Sequence, residues 1–130
     1  MIGKLASVGG ALFLAMSAVD AEAADGRTVF AENCAACHRV NGAGVPGAFP
    51  ALAGSKLVVG DPKATARLVL AGRGGMPAFA GELDDDEMAS VLTYIRGAWG
   101  NKAKAVQVAD VASVRGKARR EDARASLQAH

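Results

Sequence analysis

Two cysteines and a histidine stand together in the run Cys34-Ala35-Ala36-Cys37-His38. Residues three apart on a helical turn share a face, so both thiols can reach one edge of a flat ligand. The spacing Cys-x-x-Cys-His reads as the attachment site of a c-type haem. In that chemistry the two sulfurs bond to the vinyl groups. His38 follows at once, placed to put a neutral imidazole nitrogen on the iron.

Other chemistries of a close cysteine pair lack their context. A structural zinc site needs four ligands, yet the chain has only these two cysteines and one further histidine, the terminal His130. A redox-active pair belongs beside a βαβ pattern, and no convincing strand run is present. A disulfide closing so short a loop stabilises little.

The stretch from Gly26 to Asn101 resembles a small, single-haem class I cytochrome c. The resemblance implies an all-α fold of three to four short helices wrapped around one covalently bound haem c. It also implies further site residues. Pro50-Ala51-Leu52 is similar to the family's Pro-x-Leu segment, whose proline carbonyl accepts the hydrogen bond of the axial histidine; Pro46 is a second candidate for that place. Such a bond sets the imidazole tautomer and raises its basicity. Gly72-Arg73-Gly74-Gly75-Met76-Pro77 resembles the family's Met-Pro loop, so Met76 is the expected sixth ligand, opposite His38. Met88 is the alternative, but it falls on a helical apolar stripe, where methionine is usually core filler.

These residues need elements to hold them. Asp25 is an acceptable N-cap, and Gly26, Val29, Phe30, Asn33, Cys34 and Cys37 recur at helical spacing, which predicts one helix running into the motif. Gly26 and Phe30 match the small and aromatic pair that the family places where its first and last helices cross. Residues 40–55 are rich in glycine and proline and read as loop. Asp61-Pro62 starts a second helix that Gly72 stops. Asp84 and Glu87 form a capping-box pair. Met88, Val91, Leu92, Ile95 and Trp99 then make the stripe of a third helix. The acidic run Asp84-Asp85-Asp86-Glu87 suits a helix start, whereas calcium would want further oxygen ligands at defined spacing. Beyond Asn101 the expectation is a short surface helix over Val106 to Arg115, then a charged, alanine-rich stretch from Gly116 to His130 that is a frayed helix or a mobile tail.

Ahead of these elements, a basic Met1-Ile2-Gly3-Lys4 precedes the apolar run Leu5 to Val19, and Ala21-Glu22-Ala23 has small-x-small spacing. This reads as a secretory signal cut after Ala23 and a periplasmic destination. The rival is an uncleaved anchor, yet fifteen helical residues span about 22 Å against a hydrocarbon core of about 30 Å. The chain therefore divides into a signal at 1–23, a haem domain at 24–101 and an extension at 102–130.

The net charge of +2 is too mild for a nucleic-acid footprint. Lys56, Lys63, Arg67 and Arg73 are candidates to ring the exposed haem edge and steer acidic redox partners such as a periplasmic dehydrogenase, oxidase or reductase. An iron closed by His38 and Met76 has no open position, so the expected function is one-electron transfer rather than enzyme catalysis. The alternative is a ligand-binding haem sensor or enzyme whose methionine is displaceable. Few aromatics are available to build a core, so the polypeptide without haem should be largely unfolded. A Cys34→Ser, Cys37→Ser double variant is expected to lose most helical circular dichroism; native-like helicity would overturn that expectation.

Overall fold

The computed structural model describes residues 25–129, and they contain helices and loops but no strand. The elements are α1 (Gly26–Asn33), α2 (Ala35–His38), α3 (Lys56–Val59), α4 (Pro62–Ala71), α5 (Asp85–Gly97) and α6 (Val108–Gln128). The expected all-α class holds, with six helices where three to four were expected; α2 and α3 are single turns. The segment read as an export signal lies outside the described residues. Among the described residues no helix is long and apolar enough to cross a membrane.

The anticipated first helix is broken. Cys34 adopts φ −122°, ψ −35°, ending α1 and starting α2. Asp25 caps α1 by accepting from Arg27 N at 3.2 Å and from the Thr28 hydroxyl at 2.8 Å. The helix then buries Gly26, Val29 and Phe30 against α5. The crossing is tight: a Cβ added at Gly26 would lie 2.2 Å from Ser90 O. Only glycine lets the two backbones meet there.

α5 is the spine of the core. Its capping box is closed both ways, Glu87 N to Asp84 Oδ1 at 2.8 Å and Asp84 N to Glu87 Oε2 at 2.9 Å. It buries Met88, Val91, Leu92 and Ile95, the helical stripe read from the sequence. Met88 is fully buried there. Trp99 departs from that reading, because α5 ends at Gly97 and Trp99 has φ +52°. The chain turns back, and the indole packs on Phe30 (5.1 Å between centroids) and Tyr94 (5.7 Å).

The extension also differs from expectation. Residues 108–128 form one continuous helix, so of the two forms expected beyond Gly116 it is the helix that occurs, unbroken from the helix before it. Its first half is no surface helix, since Val111 and Val114 are buried against α4 and α5. From Lys117 onward every described residue is exposed. Alanines and the alternation of Arg with Glu121 and Asp122 at helical spacing favour continuing the helix into solvent. Long-range packing of Val111 and Val114 nucleates it, and no local pattern announced that packing.

The α1–α5 crossing makes a stability prediction. Gly26→Ala should lower the thermal midpoint, costing about 1–3 kcal/mol through overpacking. Gly97→Ala, whose added Cβ meets nothing within 4 Å, should instead gain up to about 1 kcal/mol from helix propensity. Equal effects of the two would mean that the crossing is not close-packed.

Candidate functional site

The motif residues are held by one turn of backbone. Cys37 N and His38 N both donate to Cys34 O, at 3.2 and 3.0 Å. Cys37 is exposed and Cys34 half-buried, and burial, with the neighbouring Cys37 adding to it, pushes the Cys34 thiol up to about 11. Arg39 then leaves the turn at φ +63°, a left-handed conformation that swings the chain away into the loop.

That loop returns to the histidine. His38, only 8% exposed, has Nδ1 at 2.8 Å from Pro50 O. A carbonyl can only accept, so Nδ1 donates to it, which leaves Nε2 as the ring nitrogen that a metal could take. The donor set fits a haem iron: one oriented imidazole beside two cysteine sulfurs. Pro50 rather than Pro46 reaches His38. Both prolines line an open cavity of about 380 Å³ together with Val45, Phe49 and Ala51.

Met76 stands on a separate loop. Arg73 N donates to Met76 O at 3.1 Å and Met76 N to Arg73 O at 2.9 Å, closing a tight turn over Gly74-Gly75. Gly72, at φ +70°, ends α4, and an added Cβ would come within 2.6 Å of Met76 O. The loop is then tied to α4 by Phe79 N to Val69 O (3.1 Å) and Ala80 N to Leu70 O (3.2 Å). Met76 is half-buried. Lys56, Lys63, Arg67 and Arg73 are all exposed, but Lys63 is engaged with Asp110 at 3.5 Å.

Three supporting residues went unassigned in the sequence reading. Buried Asn101 donates to Leu52 O and Ile95 O and accepts from Gly54 N at 2.8 Å, joining the end of α5 to the loop. Buried Arg96 donates to the carbonyls of Val58, Gly60 and Lys104. A polar residue on an otherwise apolar stripe was the available signal for Arg96. The third is Gly44, described below, for which only its place in a glycine-rich loop hinted.

The sequence family described as cytochrome c oxidase, cbb3-type, subunit III matches residues 21–95. The gluconate 2-dehydrogenase cytochrome c subunit of Pantoea cypripedii is 36% identical, over 69% of this chain and 24% of its own length. The cytochrome c subunit of the quinone alcohol dehydrogenase of Gluconobacter oxydans is also 36% identical, over 69% and 22%. Cytochrome c-552 of Thermus thermophilus is 36% identical over 71% of this chain and 72% of its own. The chain thus spans about a quarter of the length of the dehydrogenase subunits it matches.

Gly44 sets the position of the carbonyl that faces His38. At φ +62° its added Cβ would fall 2.3 Å from Phe49 O and 2.7 Å from Pro50 O, and its N–H donates to His38 O at 3.0 Å. Gly47 has the same left-handed sign, φ +77°, yet its Cβ would meet nothing within 4 Å. The pair separates backbone strain from displacement of the carbonyl. Gly44→Ala should speed exchange of the His38 Nδ1 proton about tenfold, the equivalent of one weakened hydrogen bond. Gly47→Ala should leave it unchanged by nuclear magnetic resonance.

Proposed function

The chain belongs to the c-type cytochromes, and from that membership we propose that Cys34 and Cys37 hold its haem c through two thioether bonds, with His38 and Met76 as the axial ligands. Bound haem c supplies a ferric–ferrous couple that accepts and returns one electron. The chain's part is electron transfer rather than turnover of a substrate. Its residues orient, exclude water and tune. The Pro50 carbonyl holds His38 by the Nδ1 proton and so makes Nε2 a stronger donor. Met76 offers a soft thioether that favours the ferrous state, and its turn is closed on itself by the two hydrogen bonds with Arg73.

The observation that carries this reading is the 2.8 Å approach of His38 Nδ1 to Pro50 O. It leaves a single imidazole nitrogen available and fixes its direction. Residues 24–101 form the electron-transfer domain on this proposal, and residues 102–130 an extension of it. The apolar run before the domain is read as an export signal cut after Ala23, which places the protein in the periplasm. Its work there is that of a single-haem carrier, or of the cytochrome partner of a periplasmic dehydrogenase or oxidase. The dehydrogenase subunits it resembles, matched over about a quarter of their length, support the second form. The exposed cations Lys56, Arg67 and Arg73 suit an acidic partner surface.

Closure of the iron is the point to test. Ferric protein should show the weak near-infrared sulfur-to-iron band, and the ferrous protein should bind carbon monoxide poorly at neutral pH. Met76→Ala should abolish the band and admit carbon monoxide rapidly while the haem stays covalently attached. His38→Ala should reduce the yield of mature protein to a trace. Rapid carbon monoxide binding by the unaltered protein would replace the carrier with a ligand-binding haem protein.

A further inference from the structure

The family match ends at residue 95, so α6 lies outside it. One side chain of α6 nevertheless reaches the segment that carries Met76. Arg115 sits 2.6 Å from Asp85 Oδ1 through Nε. Its other nitrogens donate to Ala80 O at 2.6 Å and Leu83 O at 2.8 Å. One guanidinium thus spans the start of α5 and both ends of the link between Phe79 and Asp84. Its side chain is only 14% exposed, so these bonds are poorly shared with water. Val111 and Val114, buried on the same helix, set its position from below.

We propose that Arg115 is a positioning residue for the methionine ligand, and that the packed part of the extension, up to Arg115, serves to strap the Met76 loop shut. The inference rests on Met76 being that ligand. The loop has two anchorages. On the α4 side Phe79 N and Ala80 N bind the carbonyls of Val69 and Leu70. On the α6 side Arg115 takes the Ala80 carbonyl itself. Ala80 is therefore held through both its amide and its carbonyl, four residues after Met76. For the thioether to leave the iron and stay away, residues 73–80 must swing out. With Ala80 held twice, the turn can open only from the Gly72 end. Removing Arg115 leaves that end on its α4 bonds alone and lets an outside ligand compete more readily for the iron. A lysine keeps the charge facing Asp85, but its single ammonium cannot bridge three acceptors as the planar fork does.

The test is displacement of the methionine by imidazole in the ferric holoprotein, followed by loss of the sulfur-to-iron band. Arg115→Leu should accelerate displacement about tenfold, the equivalent of one lost charge-assisted hydrogen bond, and Arg115→Lys should lie between it and the wild type. Gly26→Ala, which overpacks the α1–α5 crossing but leaves Arg115 and its helix unaltered, controls for general destabilisation and should move the thermal midpoint with little change in displacement. Truncation after Gly116 should behave as wild type, because Lys117 onward is exposed. Wild-type displacement in Arg115→Leu, or equal acceleration in Gly26→Ala, would overturn the strap. A wild-type protein with no such band would overturn the Met76 reading instead, and the strap with it.

Discussion

A single hydrogen bond, from His38 Nδ1 to the Pro50 carbonyl, organises half of this molecule. It is worth about 1 kcal/mol as stability, but its larger effect is directional. An imidazole can rotate about two bonds, and a carbonyl acceptor removes that freedom while choosing the tautomer. To deliver the carbonyl, residues 39–55 must fold back on the turn they leave. Arg39 and Gly42 take left-handed conformations to start the return. Gly42 O then receives the amides of Leu52 and Ala53, at 2.8 and 3.1 Å.

The loop buries little of its own apolar side-chain surface, with Val40 and Phe49 exposed, and residues of α5 and its exit hold it from behind. Trp99 lies against Gly42, where an added Cβ would come 2.4 Å from the indole ring, and its Nε1 donates to Val40 O at 3.1 Å. Asn101 holds Leu52 and Gly54, and Arg96 holds Val58 and Gly60. A loop of this composition would otherwise expose or orphan its backbone groups. Here each buried side-chain polar atom among the described residues has a partner. Polar side chains at the end of an apolar helix therefore do what apolar packing does elsewhere.

The methionine loop follows a different plan. Its closure is mostly local, a two-bond turn between Arg73 and Met76 resting on the glycine that ends α4. Local turns open readily. Distant elements counter this, first α4 through Val69 and Leu70, then α6 through Arg115. The two proposed ligands are thus restrained differently: His38 by one bond to a carbonyl, Met76 by a local turn tied down at its far end.

What could be read from the chain alone were features set by short spacing. The Cys34-Cys37-His38 run, the caps at Asp25, Asp61 and Asp84, the stop at Gly72 and the stripe from Met88 to Ile95 depend on neighbours within one or two helical turns. A sequence displays such neighbours directly. The break at Cys34, the reversal at Trp99 and the full length of α6 were not legible. The last two depend on partners far along the chain: Phe30 for Trp99, α4 and α5 for Val111 and Val114. Of the support given to His38, the sequence suggested Pro50 but nothing of Gly44, whose role is visible only once Phe49 and Pro50 lie against it. Residue types and short spacings determined which chemistry the chain can hold. Tertiary structure decided how rigidly it is held, because the contacts that restrain a ligand join residues whose separation in sequence carries no periodic signal.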